Sequence, residues 1–130
     1  MTQYRVAEIV RDDVPTLTPE MPIRRAVTEL VQARAAAAIV IGDDGGLVGL
    51  LSQKDCFQHA LKASYYQEWM GSVADQMSRN VICVDKNDDV VSVAEKFLSC
   101  PHRVFPVLDG AKVIGLVHRS DVLALLIRIG

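Results

Sequence analysis

The sequence predicts an α+β fold of two β-α-β-β-α repeats packed about a pseudo-two-fold axis. Three observations carry that prediction. The chain matches itself at an offset of 67, with VAEIV from Val6 on VADQM from Val73 and Val14 on Val81. Each copy then holds an apolar stripe at helical spacing, followed by two apolar runs separated by a turn. Each copy also ends its second run in one seven-residue phrase, GLLSQKD (Gly49 to Asp55) and GLVHRSD (Gly115 to Asp121). The repeats are placed at 1–66 and 67–130. A unit of roughly 50 residues is small to bury both faces of a sheet alone, so the copies are expected to pack on each other as one module.

The elements follow in order. Short first strands are read around Pro15–Leu17 and Val81–Val84. Ile23, Ala26, Val27, Leu30 and Val31 fall at i, i+3, i+4, i+7 and i+8, and Val90, Val93, Ala94, Phe97 and Leu98 repeat the stripe, so both segments read as amphipathic helices. Ala37–Ile41 with Leu47–Leu51, and Val104–Leu108 with Val113–Val117, read as β-hairpins. Asp109-Gly110 suits a type I′ turn, and the first copy spends one more residue on Asp43-Asp44-Gly45-Gly46. Phe57, Ala60 and Leu61 mark a final helix in one copy, and Val122, Leu125, Leu126 and Ile129 mark it in the other.

Composition narrows the function classes. Half of the residues are apolar and 23% are charged, the profile of a soluble globular chain. A net charge of −2 argues against broad nucleic-acid affinity. The longest apolar run, Ala35–Ile41, is far short of the roughly 20 residues that span a bilayer, and Glu8, Asp12 and Asp13 break any signal-peptide pattern, so a cytoplasmic location without membrane association is expected. Cys56, Cys83 and Cys100 lack CxxC spacing and are read as buried, reduced thiols. Cys100-Pro101-His102 supplies two potential metal ligands without two more at ligand spacing, which gives no metal site.

The repeated phrase is where chemistry can sit. An ionised Asp is acceptor-only, and its two oxygens suit the hydroxyls of a vicinal diol. Ser52 stands where a strand gives way to a helix, so its hydroxyl and the free N–H groups there favour a phosphate. Gly49 lacks a Cβ and lets a ligand or a neighbouring strand approach the backbone. The same residues have a plainer reading: Ser52-Gln53-Lys54-Asp55 is a capping-box pattern in which the Asp serves only the helix. In the second copy His118 replaces the hydroxyl, and with Arg119 beside it a protonated imidazole would hold phosphate more tightly as pH falls through its ordinary pKa near 6.5; the other reading is a solvated or capping His118. Arg103 is read as a surface residue or a phosphate contact. Tyr65, Tyr66, Trp69 and Met70, between the copies, are read as packing over the core or as a partner surface.

The doubled order of Thr16-Leu17, Pro22–Ala26, the Phe105-Pro106-Val107 strand and the two phrases resembles the CBS domain family in its tandem-pair (Bateman) form, over nearly the whole chain. The resemblance implies a regulatory module that binds an adenosine-containing ligand in clefts between the repeats. By position it assigns Asp55 and, as the second ribose candidate, Asp121 to ribose, Ser52 to phosphate, Thr16-Leu17 and Cys83-Val84 to the base pocket, and Phe105-Pro106 to a further wall; His118 departs from the family's hydroxyl, and a phosphate contact by His118 and Arg119 rests on their own chemistry. It also implies a homodimer.

No activated nucleophile, acid–base pair, GxxxxGK[ST] loop or GxGxxG motif is present, so no catalysis and no obligatory cofactor are expected. Two functions follow. One is a nucleotide sensor for AMP, ADP, ATP or S-adenosylmethionine that signals to an effector protein the sequence does not name. The alternative is a structural dimerisation or adaptor module with degenerate, ligand-free sites.

Overall fold

Short apolar runs bounded by turn residues become the strands of two three-stranded sheets, each ordered first strand, second strand, third strand of its repeat. The computed structural model describes residues 4–130; residues 1–3 of the first repeat lie outside the described residues. The chain is mixed α+β and divides into two compact units, Val14–Val81 and the segment up to Asp13 together with Ile82–Gly130.

In the Val14–Val81 unit, β1 (Thr16–Leu17) runs parallel to β2 (Ala37–Ile41), which pairs antiparallel with β3 (Leu47–Ser52). Helix α1 (Ile23–Gln32) links β1 to β2, α2 (Gln53–Tyr66) follows β3, and the short α3 (Val73–Gln76) closes the unit. One sheet face sends Leu17, Ala38, Val40 and Leu51 into a core with Ile23, Leu30, Val73 and Met77. The alternation of a strand dictates that selection.

The other unit repeats the plan with β4 (Val84–Asp85), α4 (Val90–Ser99), β5 (Val104–Asp109), β6 (Lys112–His118) and α5 (Arg119–Ile129). Its core gathers Val84, Val90, Val93, Phe97, Phe105, Val107 and Val117 around the fully buried Val6 of a 3-10 turn at Val6–Glu8. Phe97 and Phe105 stack with centroids 4.0 Å apart.

The compact units and the sequence repeats therefore differ in one respect. VAEIV, which opens the first repeat, packs in the second repeat's core, and VADQM, which opens the second, packs in the first repeat's core. Each segment continues onto the free edge of a third strand. Ser78 and Leu50 exchange both backbone hydrogen bonds (3.0 and 2.8 Å), and Arg11 and Leu116 do the same (2.9 and 2.8 Å). Arg11 and Ser78 are related by the repeat offset of 67.

Several details depart from the sequence reading. The 104–118 hairpin turns on Gly110-Ala111, and only Gly110 has positive φ (65°), the type II′ pattern where I′ was expected. Val31 and Leu98 close the two helical stripes but are exposed, Leu98 at 89%; a 100° step per residue brings the eighth residue on about 80° round from the first, to the rim of the buried face. On α2 the core-facing residues are Cys56 and Ala63, while Phe57 and Leu61 face outward. Of the aromatic cluster between the copies only Trp69 packs on the core; Tyr65, Tyr66 and Met70 are exposed. Cys56 is buried, and Cys83 and Cys100 are half-buried.

Candidate ligand-binding phrases

Pairing of Ala37 with Ser52 and of Thr16 with Ile39 brings Thr16, Ser52 and Asp55 to one end of the first sheet. There the strand-to-helix step has the geometry of a capping box: Asp55 N–H donates to Ser52 Oγ at 3.1 Å and Ser52 N–H donates to Asp55 Oδ2 at 3.0 Å. Both side chains are half-buried. Asp55 Oδ1 accepts no hydrogen bond from the described residues. Gln53 N–H donates to Ala36 O at 2.9 Å, which anchors the first turn of α2 to the residue ahead of β2.

The equivalent end of the second sheet carries Cys83, Arg103, His118, Arg119 and Asp121, with Val104 opposite His118 and Arg119 N–H on Arg103 O at 2.8 Å. Its electrostatics differ. Arg11, held on the β6 edge by its pairing with Leu116, forks onto Asp121 through Nε–Oδ2 at 2.7 Å and Nη2–Oδ1 at 2.8 Å. The guanidinium beside it holds the Asp121 carboxyl below its ordinary range, and the same hydrogen bond raises Arg11. Asp121 makes no cap, and α5 starts at His118 without a side-chain hydrogen bond. Burial, and then the Arg11 charge, push the His118 pKa down against the opposite pull of Asp121 and Asp13, and its Nδ1 is buried without a hydrogen-bond partner. That favours the neutral imidazole over the phosphate-holding cation.

The remaining positions divide by burial. Leu17, Val84 and Phe105 point into the cores of their units, so they support the sheet ends from behind. Pro106 is buried on the opposite face of β5, Thr16 and Arg119 are exposed, and Cys83 is half-buried with its thiol pKa raised by burial. Cys56, under the first turn of α2, is pushed up to about 11 by burial and by Asp55. Among the described residues no three His, Cys, Asp or Glu side chains gather in a metal-holding group, and no helix is long and apolar enough to cross a membrane.

Sequence reasoning missed Arg11. The self-match already set it opposite Ser78, but a linear alignment does not show that each leading segment docks on the edge of the other repeat's third strand. That docking is what the Gly of each phrase serves. A Cβ on Gly49 would stand 2.7 Å from Ser78 O, and one on Gly115 would collide with Arg11 O.

Two β-α-β-β-α units, each carrying a Gly-apolar-apolar-x-x-x-Asp phrase at the step from its third strand to the helix that follows, define a tandem α+β module. The CBS domain model matches residues 6–62 and 70–128, and the chain belongs to the CBS domain family. It is similar to the CBS-pair protein CBSX2 of Arabidopsis thaliana (25% identity, TM-score 0.81, covering 98% of this chain and 97% of that one), and CBSX2 is also known in complex with AMP. The CBS domain pair of MJ0100, in complex with 5′-methylthioadenosine and S-adenosylmethionine, superposes with TM-score 0.79 at 23% identity, covering 98% of each chain. The inosine-5′-monophosphate dehydrogenase of Thermoplasma acidophilum is 30% identical over 120 residues, 92% of this chain and 23% of that enzyme. The chain spans less than half the length of the curated relatives it matches.

Proposed function

We propose that the chain is a regulatory module that binds an adenosine-containing nucleotide at the Ser52–Asp55 phrase and signals to an effector protein by a change of conformation. The observation that carries this reading is Asp55: half-buried at a sheet end beside a helix N-terminus, it spends one oxygen on its cap and leaves Oδ1 open as an acceptor. A ribose hydroxyl suits that oxygen, and the N-terminus of α2 suits a phosphate. The AMP complex of CBSX2 and the S-adenosylmethionine complex of MJ0100 support adenosine as the ligand class. Recognition without chemistry fits the chain, whose likeness to the dehydrogenase covers a minor part of that enzyme. Signalling requires that the ligand bind two states with different affinity. A homodimer and a cytoplasmic location belong to the same proposal.

The test titrates ATP, ADP, AMP, S-adenosylmethionine and NADH while following the melting temperature, with sedimentation of the same samples to read the dimer. At a hundredfold excess over Kd a ligand of the folded state adds about 2.7 kcal/mol, which melting resolves easily. Asp55→Ala is expected to lose the shift. No shift from any ligand at millimolar concentration overturns the proposal. A second reading, a structural dimerisation or adaptor module, is favoured by one observation: both Asp residues already have structural partners. Under it Asp55→Ala leaves every titration unchanged.

A further inference from the structure

We propose that Arg11 is the residue that decides which of the two phrases can take a ribose: its fork closes Asp121 and leaves Asp55 as the open carboxylate. The inference rests on the reading of the Asp55 phrase as a nucleotide site. The two Asp residues occupy the same place in the same phrase, and they differ in their partners. Asp121 has an Arg11 nitrogen on each oxygen, at 2.7 and 2.8 Å, whereas Asp55 has one oxygen on Ser52 N–H and the other open.

The difference traces to one repeat position. Arg11 and Ser78 stand at equivalent edge sites, each fixed by a reciprocal pair of backbone hydrogen bonds to the residue after the phrase's glycine. From that fixed backbone a guanidinium reaches the first turn of α5 with its planar fork matched to a carboxylate; a serine hydroxyl at the same position makes no hydrogen bond to Asp55. The consequence is visible in the helix starts. Asp55 caps α2, while Asp121 gives up the equivalent cap to meet Arg11. A diol approaching Asp121 must displace a charge-assisted bidentate pair, and at Asp55 it meets a free oxygen.

Calorimetry with AMP as the probe tests this in the full chain, using the wild type, Asp55→Ala, Arg11→Ser and the double variant. Arg11→Met, which keeps the aliphatic stem and loses the fork, covers the case in which Arg11→Ser melts early. The expected results are one AMP per chain in the wild type, none in Asp55→Ala, two in Arg11→Ser, and one in the double variant. One AMP per chain in both wild type and the Arg11 variants overturns the Arg11 inference and leaves the nucleotide reading standing. Two in the wild type, or weaker binding in Arg11→Ser, also overturns it, the latter by making Arg11 a ligand contact. No binding by any variant overturns both.

Discussion

Asp55 and Asp121 show how a shared phrase acquires two characters through neighbours far away in sequence. The same holds for the residue three before each Asp, Ser52 in one repeat and His118 in the other. Ser52 accepts from an N–H, whereas His118 is half-buried, with its Nδ1 buried and unpaired and Arg11, Asp121 and Asp13 as its charged surroundings. Its folded pKa lies below the ordinary 6.5, so the unfolded chain takes up the proton first as pH falls. The neutral form therefore supports stability above about pH 6.5, and that support is lost as pH falls toward the lowered folded value. Asp121 has the same sign lower down: its depressed pKa gives stability that is present above about pH 4 and lost as the carboxylate protonates. The wild type is thus expected to lose melting temperature between pH 7 and pH 5.5 more steeply than His118→Gln. Parallel melting curves for the two proteins over that range contradict the assignment.

Among the elements, the third strand of each repeat bears the most constraint, because it pairs on both sides and then launches a helix. Gly49 and Gly115 sit where an edge segment crosses closest, and the obstructing atoms are backbone carbonyls of Ser78 and Arg11, which have no rotamer to yield. Gly115→Ala is expected to cost on the order of 1–3 kcal/mol in urea unfolding, the usual range for forced overpacking, and to loosen the Arg11 fork with the edge segment that carries it. A change within about 0.5 kcal/mol, the level of a surface substitution, would show that the edge segment moves aside freely. The elements themselves were largely legible from sequence. Ala37–Ile41 has the predicted strand bounds, and the buried positions of α1 and α4 follow the predicted stripes up to their last member. What sequence left hidden was direction and partnership. Periodicity alone does not distinguish an apolar face turned outward, as at Phe57 and Leu61, from one turned inward. Composition does not reveal that a carboxylate will be claimed by an arginine at the other end of the chain.

On the scale of the whole molecule, the exchange of leading segments makes chain order and structural unit different things. Cutting at the boundary of the sequence repeats, between 66 and 67, would leave the second repeat without Val6 and the first without Val73, each fully buried in the core it serves. Losing a buried Val side chain costs about 1.5–3 kcal/mol in apolar transfer alone. With the segment up to Asp13 also go the backbone hydrogen bonds from Val6 to Asp88 and from Ala7 to Lys86, the Arg11 pairing with Leu116, and the fork onto Asp121. Removing that segment is therefore expected to weaken the Ile82–Gly130 unit first. Amides of β5 and β6 should lose hydrogen-exchange protection by orders of magnitude, while those of β2 and β3, whose edge is covered by Ser78, should lose far less. Val6→Ala, which keeps the backbone pairing, should show a smaller loss with the same pattern. Equal loss in the two sheets would mean that the units unfold as one and that the segment supports both alike.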